Sequence, residues 1–168
     1  MIEILNGMQE TINYGDSQGF RLYHNVEFED YGDHWHTGIE IIIPVKNGYT
    51  VIVGEQRQEL EEGDIALINS GVIHALEAPL AGERVILQFD TALLYGLKGM
   101  ETLLFMMQPL IYIPNRKNVE IRQVIYEKLM KIIWEYDSKS TFREALIYAN
   151  LIEIFVELGR REVYLIET

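Results

Sequence analysis

The stretch GDHWHTGIEIIIPV, residues 32–45, sets two of the chain's four histidines one residue apart and a glutamate four residues beyond the second, directly ahead of an apolar run. Strand side chains alternate between faces, so His34, His36 and Glu40 point to one side if the segment is extended, together with Ile42. Trp35, Ile39, Ile41 and Ile43 occupy the other side and suffice for a separate buried layer. A strand that is apolar on both faces, yet carries two imidazoles and a carboxylate on one, is expected to line an interior cavity.

Turn signals and short β-rich runs continue outward from this stretch. Asn47-Gly48 is suited to a tight hairpin because both turn positions favour positive φ, and YTVIV (49–53) returns from it. A turn at 54–56, the run RQEL, the reversal EEGD, the run IALIN, and then SGVIHALEAP and ERVILQFD complete the series to Asp90. No helix interrupts these runs, which implies an antiparallel sandwich or barrel. His74 opens the strand after the Ser70-Gly71 turn, and a returning barrel strand brings it opposite His34 and His36. Three neutral imidazoles and one carboxylate supply the N and O donors that suit Fe, Mn, Ni or Zn with positions left open. The alternative is a polar cluster satisfied by hydrogen bonds to Glu40 and an organic ligand, with no metal.

Beyond Asp90 the pattern changes. Residues 91–109 read as one or two short helices, and LIYIP (110–114) as one more strand. From Asn118, suited to an N-cap, Ile121, Val124, Ile125, Leu129, Ile132, Ile133 and Tyr136 recur at helical steps. The cluster Asp137 to Ser140 breaks that helix, and a second runs from about Thr141 to Leu158 with Gly159 as its C′ residue. This second helix has two apolar faces, one of Ala145, Ala149, Ile152 and Val156 and one of Leu151, Ile154, Phe155 and Leu158. One face serves the fold; the other covers loose parts of the same chain or meets a second copy. Residues 1 to about 19 read as an irregular arm.

The whole chain, 168 residues and 48% hydrophobic, has the composition of an ordinary globular domain. With no cysteine it has neither a disulfide framework nor thiolate metal sites, and the cytoplasm is the expected compartment. No leader pattern and no membrane-length apolar run is present, so no membrane partner is expected. A formal charge of −12 repels phosphate backbones, so contact with DNA is expected only through residues outside this segment.

The two histidine segments resemble the two cupin motifs. The first, G-x5-H-x-H-x3-E-x6-G, is matched by His34, His36, Glu40 and, one residue late, Gly48; the second, G-x5-P-x-G-x2-H-x3-N, by Gly63, Gly71 and His74. Gly32 lies closer to His34 than the motif glycine, and Asn69 and Ala78 stand where proline and asparagine are expected. A cupin barrel with this order of parts, ending in LQFD and followed by a helical hairpin, resembles the N-terminal sensor and dimerisation domain of AraC-type transcription regulators, from about residue 10 to about 160. The resemblance implies a mainly β fold: a cupin double-stranded β-helix (jelly-roll barrel) over 1–115 with the arm at its start, then a dimerising helical hairpin over 116–168. It also implies a C-terminal helix-turn-helix region, which nothing after Leu158 supplies, so the chain is expected to be an excised domain or a stand-alone relative.

The function implied is non-enzymatic sensing of a small-molecule effector by a homodimer. Besides His34, His36, Glu40 and His74, its pocket is expected to use Leu76, which shares the inward face of His74, and Arg84 and Gln88, whose strand face looks into the pocket in that family. For Arg84 the plain alternative is an exposed polar face. Tyr14 is placed as a lid because the namesake family closes its pocket with an N-terminal arm. His24 reads as a strand or surface histidine, and Met100, Met106 and Met107 as core fillers. The competing function is a stand-alone metal-dependent cupin enzyme, a dioxygenase or isomerase. The hairpin favours the sensor, since most small cupin enzymes end soon after the barrel. An enzyme would also show a further titratable group aimed at the substrate, and the sequence names none, so no catalytic residue is assigned.

Overall fold

A computed structural model describes residues 4–15, 17, 19–116, 119–161 and 164–166. Its strands are β1 (Leu5–Asn6), β2 (Gln9–Glu10), β3 (Phe20–Asn25), β4 (Tyr31–His34), β5 (Ile39–Lys46), β6 (Tyr49–Val53), β7 (Gln56–Leu60), β8 (Ile65–Ile68), β9 (His74–Glu77), β10 (Glu83–Phe89) and β11 (Leu110–Ile113). Its helices are α1 (Ala92–Tyr95), α2 (Met100–Met106), α3 (Val119–Ser138) and α4 (Arg143–Gly159). The chain divides into two compact units, Met1–Thr91 with Pro109–Asn115, and Ala92–Gln108 with Arg116–Thr168. Residues 92–108, which the sequence places with the barrel, group with the helices in this division.

In the first unit, β3 pairs β10, β4 pairs β9, β5 pairs β8 and β6 pairs β7, all antiparallel. That is one long hairpin, with its apex at Gly54 (φ 57°), wound up on itself. Lateral pairing of β10 with β5 and of β6 with β9 then closes two sheets, β11-β8-β5-β10-β3 and β4-β9-β6-β7. This is the double-stranded β-helix, or jelly roll. Ile42, Tyr49, Val51, Leu60, Ala66, Ile68, Leu76, Ile86 and Leu110 pack into one core cluster. Each fully buried large aliphatic chain among them contributes roughly 1.5–3 kcal/mol.

Residues 32–45 do not form one strand. His34 ends β4 in the four-stranded sheet, and Glu40 lies in β5 of the five-stranded sheet. The chain crosses between sheets at 35–38, so the three polar side chains converge from two walls rather than lining one face. The Asn47-Gly48 turn also differs from expectation. Asn47 has positive φ (60°) while Gly48 does not. Glycine is required there for space: a Cβ would lie 2.6 Å from the Leu60 carbonyl oxygen on the neighbouring strand.

In the second unit α3 and α4 form the helical hairpin, tied by the Lys128–Glu153 ion pair. The Asn118 cap lies outside the described residues. Lys139 (φ 51°) and Phe142 (φ 61°) turn the chain between the helices. Gly159 is the last residue of α4 rather than a C′ glycine, and a Cβ there would lie 2.2 Å from Leu103 Cδ1 of α2. Leu151, Ile154, Phe155 and Leu158 are buried, whereas Ala145 and Ala149 are exposed and Ile152 and Val156 half-buried. Among the described residues, no helix is long and apolar enough to cross a membrane.

Candidate metal centre

The wound hairpin brings His34 and His74 together, because β4 and β9 pair with these two residues in register. Their ring centroids lie 4.2 Å apart. His36 follows in the crossover, with its ring 5.1 Å from that of His74 and 6.1 Å from that of His34. Glu40 and Gln88 face each other in the β5–β10 register, and Gln88 Nε2 donates to Glu40 Oε2 at 2.8 Å. His34, His36, Glu40, His74 and Gln88 are all buried.

All three imidazoles are oriented in the same way. Nδ1 of His34 donates to the Gly32 carbonyl (2.8 Å), that of His36 to Gly38 (2.9 Å) and that of His74 to Val72 (2.8 Å). A carbonyl only accepts, so Nδ1 carries the proton in each ring and Nε2 is turned inward, the arrangement that suits a metal-ligating imidazole. One ligand atom from each ring falls within 4.8 Å of the other two. His74 Nε2 and Glu40 Oε1 are buried without a hydrogen-bond partner. Such orphans cost roughly 1–3 kcal/mol each. An ion ligated by the three imidazoles would relieve the cost at His74, so the histidines fit a divalent transition metal, with Glu40 outside the mutually close donor set.

The electrostatics favour the neutral donor form in two of the rings and the charged form in the third. Burial lowers the pKa of His34 and takes that of His74 down to about 4, so both stay neutral and available as donors. For His36 burial acts the same way, but the hydrogen bond and charge of Glu40, 3.2 Å from its Nε2, outweigh it and raise the pKa. Burial alone would raise Glu40; His36 and His74, with Gln88 as donor, instead hold it down to about 2.

A cavity of about 20 Å³ adjoins these groups, lined by Glu10, Tyr23, Tyr31, His34, Glu40, Leu76, Ile86 and Gln88. That is space for an ion or a water molecule or two. Organic ligands usually occupy about 300–1,000 Å³. Of the residues expected at the pocket, His34, Glu40, Leu76 and Gln88 line this cavity, whereas His36 and His74 do not, although both rings lie close to that of His34. Arg84 does not: it is buried rather than exposed, with its guanidinium 4.1 Å over the Tyr49 ring and donating to the Glu27 carbonyl. Nor does Tyr14, whose hydroxyl lies 2.9 Å from where a Cβ on Gly38 would be. His24 is exposed on β3. The sequence reading missed Tyr23, Tyr31 and Glu10. Glu10 comes from the arm, is 4% exposed, and sets Oε2 3.8 Å from His34 Nε2. Nothing local distinguishes it among the chain's 26 acidic residues.

No known protein family matches the sequence, and no curated protein does. Solved structures show a partial likeness to this chain. A cupin-2 domain containing protein from Shewanella frigidimarina is 17% identical, with 45% of this chain and 74% of that one covered, at a TM-score of 0.40. A Neisseria meningitidis protein is 20% identical over 45% of this chain and 78% of that one (TM-score 0.40). A mutant of Bacillus subtilis oxalate decarboxylase is 21% identical over 45% of this chain and 22% of that one (TM-score 0.39). The strand pairing by itself makes the fold a double-stranded β-helix. The likeness covers less than half of this chain and bears on chain path alone.

Proposed function

We propose that this chain is the effector-sensing and dimerisation part of an AraC-type transcription regulator, with a divalent metal (Fe, Mn, Ni or Zn) at His34, His36, His74 and Glu40 as the polar anchor for a small-molecule effector. The observation that carries the reading is the set of three buried imidazoles, each able to bring one ligand atom within 4.8 Å of the other two, while their Nδ1 atoms are tied to backbone carbonyls. A barrel that needed only to be stable would be filled with aliphatic chains there. An effector larger than a few atoms has to widen the 20 Å³ hollow, and it signals only if it binds the widened arrangement better than the closed one. The hairpin supports the dimerisation half of the proposal. Trp134 is 63% and Leu146 47% exposed, and both line one groove between α3 and α4 with Met130 and Asn150. DNA is assigned to a helix-turn-helix region outside these residues, in keeping with the charge of −12.

The second reading is a metal-dependent cupin enzyme, and Glu10 favours it. It is the titratable group beyond the motif that the sequence did not reveal, raised to about 7 by burial and by the charge of Glu40. The test loads purified protein with Mn(II) or Zn(II), counts bound ions, and then screens small organic compounds by thermal shift. One ion per chain, lost in His34→Ala and His74→Ala, together with a stabilising compound recovered unchanged, is the result expected of the sensor. A compound recovered chemically altered would establish the enzyme instead. Absence of metal binding would sink the assignment of the site.

A further inference from the structure

The arm that supplies Glu10 is pinned to the segment that supplies two of the histidines. Gln9 bridges Trp35 in parallel, Glu10 N donates to the Trp35 carbonyl at 2.8 Å, and Trp35 N donates to the Met8 carbonyl at 2.9 Å. Trp35 stands between His34 and His36, so the arm backbone docks where those rings leave the chain. β1 and β2 fold the arm into a small hairpin, which projects the Glu10 side chain inward. Its carboxylate is buried and lines the hollow, and Oε2 has no hydrogen-bond partner. Glu40 faces the same hollow with Oε1 likewise unsatisfied. Two carboxylates sharing so small a buried space repel each other, and a cation between them removes that repulsion. Metal–donor bonds of about 2.0–2.2 Å limit two donors on one ion to roughly 4.2 Å apart. The 3.8 Å between Glu10 Oε2 and His34 Nε2 falls inside that limit; Glu10 stands outside the donor set that the three histidines form within 4.8 Å, so shared ligation draws its carboxylate toward them.

We propose that Glu10 is a metal-directed carboxylate delivered by the N-terminal arm, so that an ion held by the three histidines also fastens the arm to the barrel. The inference rests on the metal-site reading above and extends it: the motif residues come from strands and their crossover, whereas this ligand comes from an arm joined to Trp35 by two backbone hydrogen bonds. Metal occupancy and arm docking are then two views of one equilibrium, and each strengthens the other by the same factor.

The experiment uses the full chain with Zn(II) or Mn(II) as the probe and compares wild type, Glu10→Gln and His34→Ala. Metal affinity is read by competition with a chromophoric chelator. Arm docking is read by amide hydrogen exchange at Glu10 and Trp35, the two N–H groups that join arm to barrel. The expected result is a loss of about 10- to 100-fold in affinity for Glu10→Gln. Metal should slow exchange at both amides by a similar factor in wild type and leave it unchanged in Glu10→Gln. Wild-type affinity in Glu10→Gln while His34→Ala fails to bind would overturn the role of Glu10 and leave the site standing. Failure of the wild type to bind either ion would overturn both. The wild-type exchange measurement alone decides the coupling should Glu10→Gln fold poorly: no metal-dependent protection refutes it.

Discussion

Replacing His36 by alanine in the metal-free protein strands the Glu40 carboxylate inside the barrel. Glu40 is 2% exposed, and its Oε2 lies 3.2 Å from His36 Nε2 and accepts from Gln88 Nε2 at 2.8 Å. At an effective dielectric constant of about 20, opposite unit charges at that separation attract by roughly 5 kcal/mol. Breaking a buried pair by removing one partner typically costs about 3–5 kcal/mol, because the survivor remains charged and desolvated. Protonation of the survivor caps the cost. Glu40→Gln in the same background removes the stranded charge, so His36→Ala/Glu40→Gln should recover about 2 kcal/mol relative to His36→Ala. The assay is urea unfolding of the two single variants, the double variant and the parent at pH 7 with chelator present. The sign of the pH dependence follows from the same pair. Glu40 has its pKa held below the ordinary 4.5, so the stabilisation it lends is present above about 4.5 and is lost as pH falls toward 2. The advantage of the parent over Glu40→Gln should therefore shrink across that acid range. A coupling energy under about 0.5 kcal/mol would mean that the two side chains act independently and would refute the argument.

Gly48→Ala should lower stability by about 1–3 kcal/mol, read as a fall in Tm, because its Cβ would press on the Leu60 backbone at 2.6 Å rather than on a movable side chain. His24→Ala, on an exposed position of β3, should leave metal stoichiometry and Tm unchanged; a lost ion would assign the site to the wrong histidines. Sedimentation equilibrium should show a dimer at micromolar concentration that Trp134→Glu dissociates without changing the far-UV circular dichroism, and a monomeric parent would remove the dimerisation role of the hairpin.

The alternation of apolar runs and turn residues from 39 to 90, followed by a helical period from 121, was enough to read a β-barrel and a helical hairpin, since strand and helix periodicities are properties of neighbouring residues. The same local logic singled out His34, His36, Glu40 and His74; all four are buried, and the three imidazoles lie together. It failed wherever the deciding contact spans the fold. Gly159 looked like a helix stop and is instead a gap for Leu103. Arg84 shares strand parity with Gln88, yet the ring of Tyr49 and the carbonyl of Glu27 draw its guanidinium away from the hollow. Glu10 is the sharpest case: its sequence neighbourhood is that of an exposed arm, and only the backbone hydrogen bonds to Trp35 carry it beside His34. Sequence alone therefore determined which elements form and which motif residues are polar within them. Tertiary structure decided which side chains share the hollow, because that depends on how a wound hairpin and a docked arm bring distant backbone together, and no local periodicity records it.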